Sequence, residues 1–394
     1  MAAPFDRALR DAIAGATAAV SGVELHRAVD ALSRRYRDGA AAAGAIGRLS
    51  EAERLAYAVV RLPATAAALD AVFDAVERHT RVEPRTVTDL GAGPATVLWP
   101  ALSRWSGIRR VTLVDRDPEL LRLGVRLWTH SQPPPGLLPG SPGPPPGPLP
   151  ASSRPPPGLG PASPRPAPGP VPASAGPGPG LGPTPAGASS GLDVQLRTGD
   201  IASADAPSAD VVVLSYAVGE LAEARAGQAV DRAWALTSGA LVVVEPGTPA
   251  GFERIRAVRE RLLAAGARLA APCPHEDACP MAGGDWCHFA VRLDRSRAHR
   301  QSKHAALGWE DEKFAYVVAV RDASLLRARA SGRVLRRPQK GTGHVRLALC
   351  APGGLTDAVV TRRAPAYREA RDAAWGDAWP PIDDRTAELE PPIA

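Results

Sequence analysis

Five short apolar runs, at positions 87–90, 111–114, 194–196, 211–214 and 241–244, recur through the middle of this chain, separated by stretches that read as helices. Parallel strands need a crossover of a dozen or more residues, usually a helix. Such alternation restricts the chain to an α/β fold, a parallel doubly wound sheet with helices on its faces. Two later runs, 289–293 and 315–320, read as further strands. Upstream, residues 1–83 read as helical. Leu25, Val29, Leu32 and Tyr36, then Leu69, Val72, Phe73 and Val76, recur at helical spacing. Ser50-Glu51-Ala52-Glu53 has the form of a capping box, and Pro63 is expected to end or bend the helix it starts.

The strand series is interrupted at 131–190, which holds 23 of the 42 prolines and almost no charge or large apolar groups. It cannot bury enough surface to offset its chain entropy. It reads as a disordered, dispensable linker, with a proline-binding partner as the alternative. The expected division is an N-terminal helical region (1–83), a Rossmann-like domain (84–322) carrying the insertion and a cysteine loop (271–289), and a basic C-terminal extension with short strands (323–394).

A net charge of +6 on 394 residues mildly favours a polyanionic partner. Between positions 292 and 346 there are fourteen Arg or Lys against five Asp or Glu. That segment is the expected RNA-contacting surface. The first residues lack a basic and then apolar leader, and no apolar run approaches a membrane span. The expectation is a monomeric cytoplasmic protein with no membrane contact.

Thr88-Asp89-Leu90-Gly91-Ala92-Gly93-Pro94-Ala95-Thr96 follows the first strand. Gly91 and Gly93 permit a tight turn and close approach of backbone to ligand. Asp89 can accept from an ammonium or water. A dinucleotide fingerprint would place a third glycine where Thr96 stands, which disfavours NAD. The second strand ends at Asp115, suited to a ribose hydroxyl pair, and the third at Asp200, suited to an adenine amino group. Three acidic strand ends in βαβαβ order resemble the class I S-adenosylmethionine-dependent methyltransferase fold. Tyr216, Glu220 and Glu245 are further candidates near the sheet's carboxyl edge. The polar-proline-aromatic motif of amino-methyltransferases is absent from 215–221, so no residue is assigned a catalytic role.

All four cysteines lie in the last third. Cys273, Cys279 and Cys287 are spaced Cys-x5-Cys-x7-Cys, and Cys350 stands far downstream. Clustered cysteines in a reducing compartment favour metal over disulfide. The gaps exceed those usual for structural zinc, and prolines follow Cys273 and Cys279, as happens beside cluster ligands. The residues leave open an iron–sulfur cluster, a zinc ion aided by His275 or His288, and inert thiols.

Several segments occur in a distinctive order. They are Asp-Leu-Gly-Ala-Gly-Pro-Ala-Thr at 89–96, Ser-Tyr-x-x-Gly-Glu-Leu at 215–221 and Glu-Pro-Gly-Thr-Pro-x-Gly-Phe at 245–252. Cys-Pro-His-x-x-x-Cys-Pro-Met at 273–281, Asp-Trp-Cys-His-Phe at 285–289, Trp-Glu-Asp-Glu-Lys-Phe at 309–314 and Gly-His-Val at 343–345 follow. Together they resemble the methyltransferase-like proteins associated with assembly of the mitochondrial small ribosomal subunit, and their bacterial and archaeal relatives. The resemblance implies S-adenosylmethionine binding, a [4Fe-4S] cluster held by Cys273, Cys279, Cys287 and Cys350, and contact with small-subunit ribosomal RNA. It leaves methyl transfer to the RNA open. The rival reading is a non-catalytic, zinc-stabilised RNA-binding module.

Overall fold

The computed structural model describes residues 3–37, 49–131, 191–281, 284–302, 307–327 and 329–381. The linker expectation for the proline-rich run falls on 132–190, outside these residues.

The central sheet has the order β3-β2-β1-β4-β5-β8-β6, with β7 paired to β8. Its first five strands are parallel: β1 (Thr86–Leu90), β2 (Arg110–Asp115), β3 (Asp193–Thr198), β4 (Ala209–Ser215) and β5 (Thr237–Pro246). The sheet is not parallel throughout. β8 (Trp309–Val320) runs antiparallel to β5, to β6 (Arg268–Ala271) and to β7 (Phe289–Asp294). This order, with one reversed strand between β5 and β6, is that of the class I S-adenosylmethionine-dependent methyltransferase fold.

Two differences from the sequence reading have physical causes. β6 has only four residues, too few for a period to register. β8 begins at Trp309, six residues before its apolar half. Glu310, Asp311 and Glu312 hide it as a strand, yet they pair in register with Leu293, Arg292 and Val291 of β7. Arg292 and Asp311 form a two-pronged pair at 2.8 and 3.0 Å across that ladder.

Alternation along the strands sorts their side chains into two cores. Val87, Val111, Leu113, Val211 and Val242 face one side with Phe73 of helix α4 (Leu62–His79). Leu90, Val114, Val212, Leu214 and Leu241 face the other, with Trp234 and Ile255 from helices α7 (Glu223–Leu236) and α8 (Pro249–Ala264). α4 is buried along most of its length, which explains its nearly uniform apolar sequence. Among the described residues no single helix is long and apolar enough to cross a membrane.

Helices α1 (Asp6–Thr17), α2 (Gly22–Arg37) and α3 (Glu51–Val60) pack as a further layer against helix α6 (Pro118–Ser131). The α3 capping box is formed: Ser50 Oγ accepts from Glu53 N at 3.2 Å and Glu53 Oε2 accepts from Ser50 N at 2.8 Å. α3 stops at Val60, and Pro63 sits in the first turn of α4, where its missing N–H costs nothing.

A second sheet follows the Rossmann core. β11 (His344–Ala351) pairs antiparallel with β10 (Gln339–Gly341), β12 (Gly354–Thr361) and the short β9 (Arg333–Val334). Helix α10 (Tyr367–Asp372) covers one face through Ala370, against Val345, Leu347 and Val360. Buried Arg333 fastens this unit to the core. Its Nε donates to Pro272 O at 2.8 Å, one terminal nitrogen donates to Gly376 O at 2.9 Å, and the other lies 3.1 Å from His79 Nε2.

Candidate functional site

Two cavities of the core domain gather the residues singled out in the sequence. The first lies at the carboxyl ends of β1, β2, β3 and β4. It is lined by Gly91, Gly93, Asp115, Asp200, Tyr216 and Glu220 among others, with Leu49 and Tyr57 of the N-terminal layer closing one side. The glycine turn is built for close approach. Gly91 and Gly93 have φ of +82° and +52°, and a Cβ on Gly91 would stand 2.6 Å from that of Ala217. Asp115 pins the turn: Oδ2 accepts from Gly93 N at 2.8 Å and Oδ1 from Asp117 N at 2.9 Å. Each oxygen keeps a lone pair for a ligand hydroxyl. Burial pushes the Asp115 carboxyl up, against the pull of those two N–H groups. Asp200 lines the cavity with its carboxylate paired to Arg225 and accepting from Ala202 N at 2.8 Å.

Asp89 stands apart. It is fully buried, does not line the cavity, and has no hydrogen-bond partner at either carboxylate oxygen among the described residues. Burial, with Asp115 nearby, pushes its carboxyl up to about 8. Glu245 is also buried and outside the lining. Arg254 holds it at 2.7 Å, and it accepts from Gly219 N at 3.3 Å, so it orders the turn after β4.

Tyr216 sits at the end of β4 with φ +56°, a left-handed conformation that costs a non-glycine residue about 1–3 kcal/mol. Its N–H donates to Val244 O at 2.7 Å, its hydroxyl donates to Glu312 Oε1 at 2.8 Å, and Arg61 lies over its ring. Those contacts hold the strained residue at the mouth of the cavity.

The loop is also backed by α6. A Cβ on Gly124 would meet Pro94 O at 2.0 Å, so glycine there lets α6 close on the turn. Gly124→Ala is expected to destabilise by about 1–3 kcal/mol, because the obstacle is backbone and outweighs the better helix propensity of alanine. Urea unfolding checks this; an unchanged midpoint would mean that the turn yields freely.

The second cavity brings Cys273, Cys279, Cys287 and Cys350 together, although Cys350 enters from β11. Its space is about 40 Å³, more than the ~10–15 Å³ that one water needs. All four thiols are free. Burial pushes the thiols of Cys273 and Cys287 up and that of Cys350 up to about 12. His275 Nε2 lies 3.5 Å from Cys350 Sγ, and burial lowers the imidazole, keeping it neutral. His288 is enclosed by Trp286 and Trp375.

Two buried guanidinium groups line this cavity. Arg259 of α8 donates to His275 O at 3.2 Å and to Asp277 O at 2.6 Å, and its charge favours the Cys273 thiolate. Arg333 is the second. Neither has a carboxylate partner among the described residues. No pattern near the cysteines pointed to either arginine, since they come from elements before and after the loop.

The expected RNA segment is largely engaged in its own structure. Arg292 pairs with Asp311, Arg295 with Glu310, Arg329 with Glu276 and Arg336 with Asp285. Arg327 donates to Thr80 O at 2.8 Å, and Arg321 to Thr237 O at 2.8 Å.

Comparison with known proteins adds a family match. Residues 51–133 and 190–380 match the family described as mitochondrial small ribosomal subunit Rsm22. The chain is 27% identical over 365 residues to the human mitochondrial ribosome assembly protein METTL17, covering 84% of this chain and 63% of that protein. It is 29% identical over 198 residues to the mitochondrial Rsm22-cox11 tandem protein 2 of Schizosaccharomyces pombe, covering 37% of this chain and 26% of that one. The chain thus spans less than two thirds of these relatives. Among solved structures it is similar to magnesium protoporphyrin IX methyltransferase from Synechocystis PCC 6803 with bound SAH, at 10% identity and a TM-score of 0.34, covering 66% of this chain and 82% of that one.

Proposed function

The chain belongs to the Rsm22 family of the mitochondrial small ribosomal subunit, and from that premise we propose that it is a small-subunit assembly factor that binds S-adenosylmethionine, a [4Fe-4S] cluster and ribosomal RNA. The observation that carries the cluster is the second cavity: three cysteines of one loop and Cys350 of β11 around one space, with two buried arginines that have no carboxylate partner among the described residues. Four thiolates around iron and sulfide carry net negative charge. Buried cations without anions are otherwise costly, so Arg259 and Arg333 suit an anionic occupant.

Spacing supports a cluster over zinc. A single tetrahedral ion, with Zn–S near 2.3 Å, draws its sulfurs to within about 4 Å of one another. Among the described residues no three His, Cys, Asp or Glu side chains are grouped tightly enough for one ion. A cluster would set its own body between the sulfurs, which suits the wide Cys-x5-Cys-x7-Cys spacing. When bound it would supply a rigid four-armed link, joining the 271–289 loop to β11. Metal and sulfide analysis of anaerobically purified protein tests this. Iron and sulfide in equal amounts support it; one zinc per chain favours the rival zinc module.

The first cavity suits S-adenosylmethionine. Asp115 would accept the ribose hydroxyls, the Gly91–Gly93 turn would admit the backbone side of the ligand, and Asp200 would face the adenine. Asp89 would act from beneath, its buried carboxyl tuning the turn rather than touching ligand. Asp115→Ala is expected to raise the dissociation constant for S-adenosylmethionine about 5- to 150-fold, the loss of about 1–3 kcal/mol of charged hydrogen bonding. Calorimetry measures it; unchanged affinity removes the role. Whether the bound cofactor donates its methyl group is a separate matter. Transfer of label from S-adenosylmethionine to small-subunit rRNA would make the protein an RNA methyltransferase; retention without transfer would leave it a binding factor.

A further inference from the structure

Pairing divides this chain's cations into two populations. The arginines of 292–337 are mostly held by carboxylates or carbonyls. By contrast, Lys340, Arg346, Arg362, Arg363 and Arg371, all exposed, form no ion pair or side-chain hydrogen bond among the described residues. They gather at one end of the second sheet. Gly341 and His344 are partners in the β10–β11 hairpin, His344 is opposite Thr361, and Arg362 N donates to Gly343 O at 2.8 Å. This brings Arg362 and Arg363 beside the hairpin.

The two faces of that end differ. Lys340 is opposite Val345, on the face covered by α10, and with Thr342, Tyr367 and Arg371 it lines an open cavity of about 380 Å³. Arg346 is opposite Gln339 and Val359, on the other face, and Val359 is 53% exposed. The acids nearest in sequence form no ion pair with these cations among the described residues: Asp357 is opposite Ala348, further along the strands, and Glu369 and Asp372 of α10 are in no ion pair there.

We propose that the hairpin end of the second sheet, with Lys340, Arg346, Arg362, Arg363 and Arg371, is the phosphate-contacting surface for RNA. This rests on the RNA-binding part of the proposed function; of the expected segment 292–346 it keeps Lys340 and Arg346, and it extends the contact to Arg371. The physical reason is competition. A guanidinium already paired, such as Arg292 on Asp311, must surrender that partner to meet a phosphate. An unpaired cation only releases counterions. Cations on both faces and at the tip suit a flexible polyanion that wraps the end. A flat anionic membrane could meet only one face. Tyr367 and Thr342, beside Lys340 and Arg371, add hydroxyl donors of the kind that fix phosphate positions.

The test uses the full chain and an in vitro transcript of small-subunit ribosomal RNA, with affinity measured over a range of salt. The quadruple variant Lys340→Gln, Arg346→Gln, Arg362→Gln, Arg363→Gln is expected to weaken binding at least about 30-fold at low salt and to make the salt slope shallower by roughly one per lost contact. The double variant Arg292→Gln, Arg337→Gln is expected to bind as the parent does. All these side chains are exposed or half-exposed, and thermal melting should confirm that both variants fold. Parent binding with an unmoved quadruple variant overturns this surface and leaves the RNA reading intact. A parent chain that does not retain RNA overturns both. Retention on vesicles containing anionic lipid, but not on RNA, assigns the cations to a membrane and overturns the proposal.

Discussion

Cys350→Ser is expected to take anaerobically purified protein from a full complement of iron and sulfide to nearly none. Three ligands remain local to the 271–289 loop, but the fourth comes from β11, and without it the cavity is open on that side. The consequence for the fold should be graded. β11 would lose its link to the loop while keeping others that need no metal: Leu335 N donates to Ala348 O at 2.8 Å, and Arg333 still binds Pro272 O and Gly376 O. Hydrogen exchange should therefore rise first in 344–361 and in 273–287, with the central sheet protected. S-adenosylmethionine affinity should persist, because the first cavity is built from other strand ends. Iron retained at parental levels would remove Cys350 from the ligand set. Unchanged exchange in β11 after cluster loss would show that the metal-free links through Leu335 and Arg333 suffice to hold the unit.

Asp89→Asn is expected to stabilise the cofactor-free protein, increasingly so from pH 4 to pH 8. Burial pushes the folded carboxyl up to about 8, against an ordinary value of 3.8. Across that window the folded chain holds a proton that the unfolded chain has released, so stability falls as pH rises. The shift corresponds to roughly 6 kcal/mol at most, at about 1.4 kcal/mol per unit, and structural relaxation or entering water reduces it. Asparagine removes the titration. Its melting temperature should fall less over this range than that of the parent, because the buried Asp115 carboxyl still titrates in both. Parallel pH profiles would mean that the parent carboxylate is already solvated.

Parts of this architecture were legible because a local signal carried them. Ser50 and Glu53 announced a helix start three residues apart, and the runs ending at Leu90 and Asp115 alternated with helices long enough to cross. The four cysteines drew attention by scarcity. Other features depend on tertiary placement and left no local trace. β6 is held by β8 rather than by its own pattern. Arg259 and Arg333 reach the cysteine cavity from α8 and β9, with no spacing that links them to it. The basic run from 292 to 346 read as one surface because charge counts ignore partners. Asp311, Glu310, Glu276 and Asp285 decide which of its arginines remain available, and all four acids lie 15 or more residues from the arginine they hold.

The position of the fourth cysteine also sets a clock. Cys350 and the His275 it faces are 75 residues apart in the chain. At translation rates of about 5–20 residues per second, the loop cysteines emerge roughly 4–15 seconds before the strand that completes their ring. The first cavity is finished earlier, because its strands end by position 215. A nascent chain therefore gains its first cavity while the second still lacks one of its four cysteines. A chain truncated before position 350 would keep the pocket but never complete the ring. Metal loading would then report that synthesis had reached the last strands.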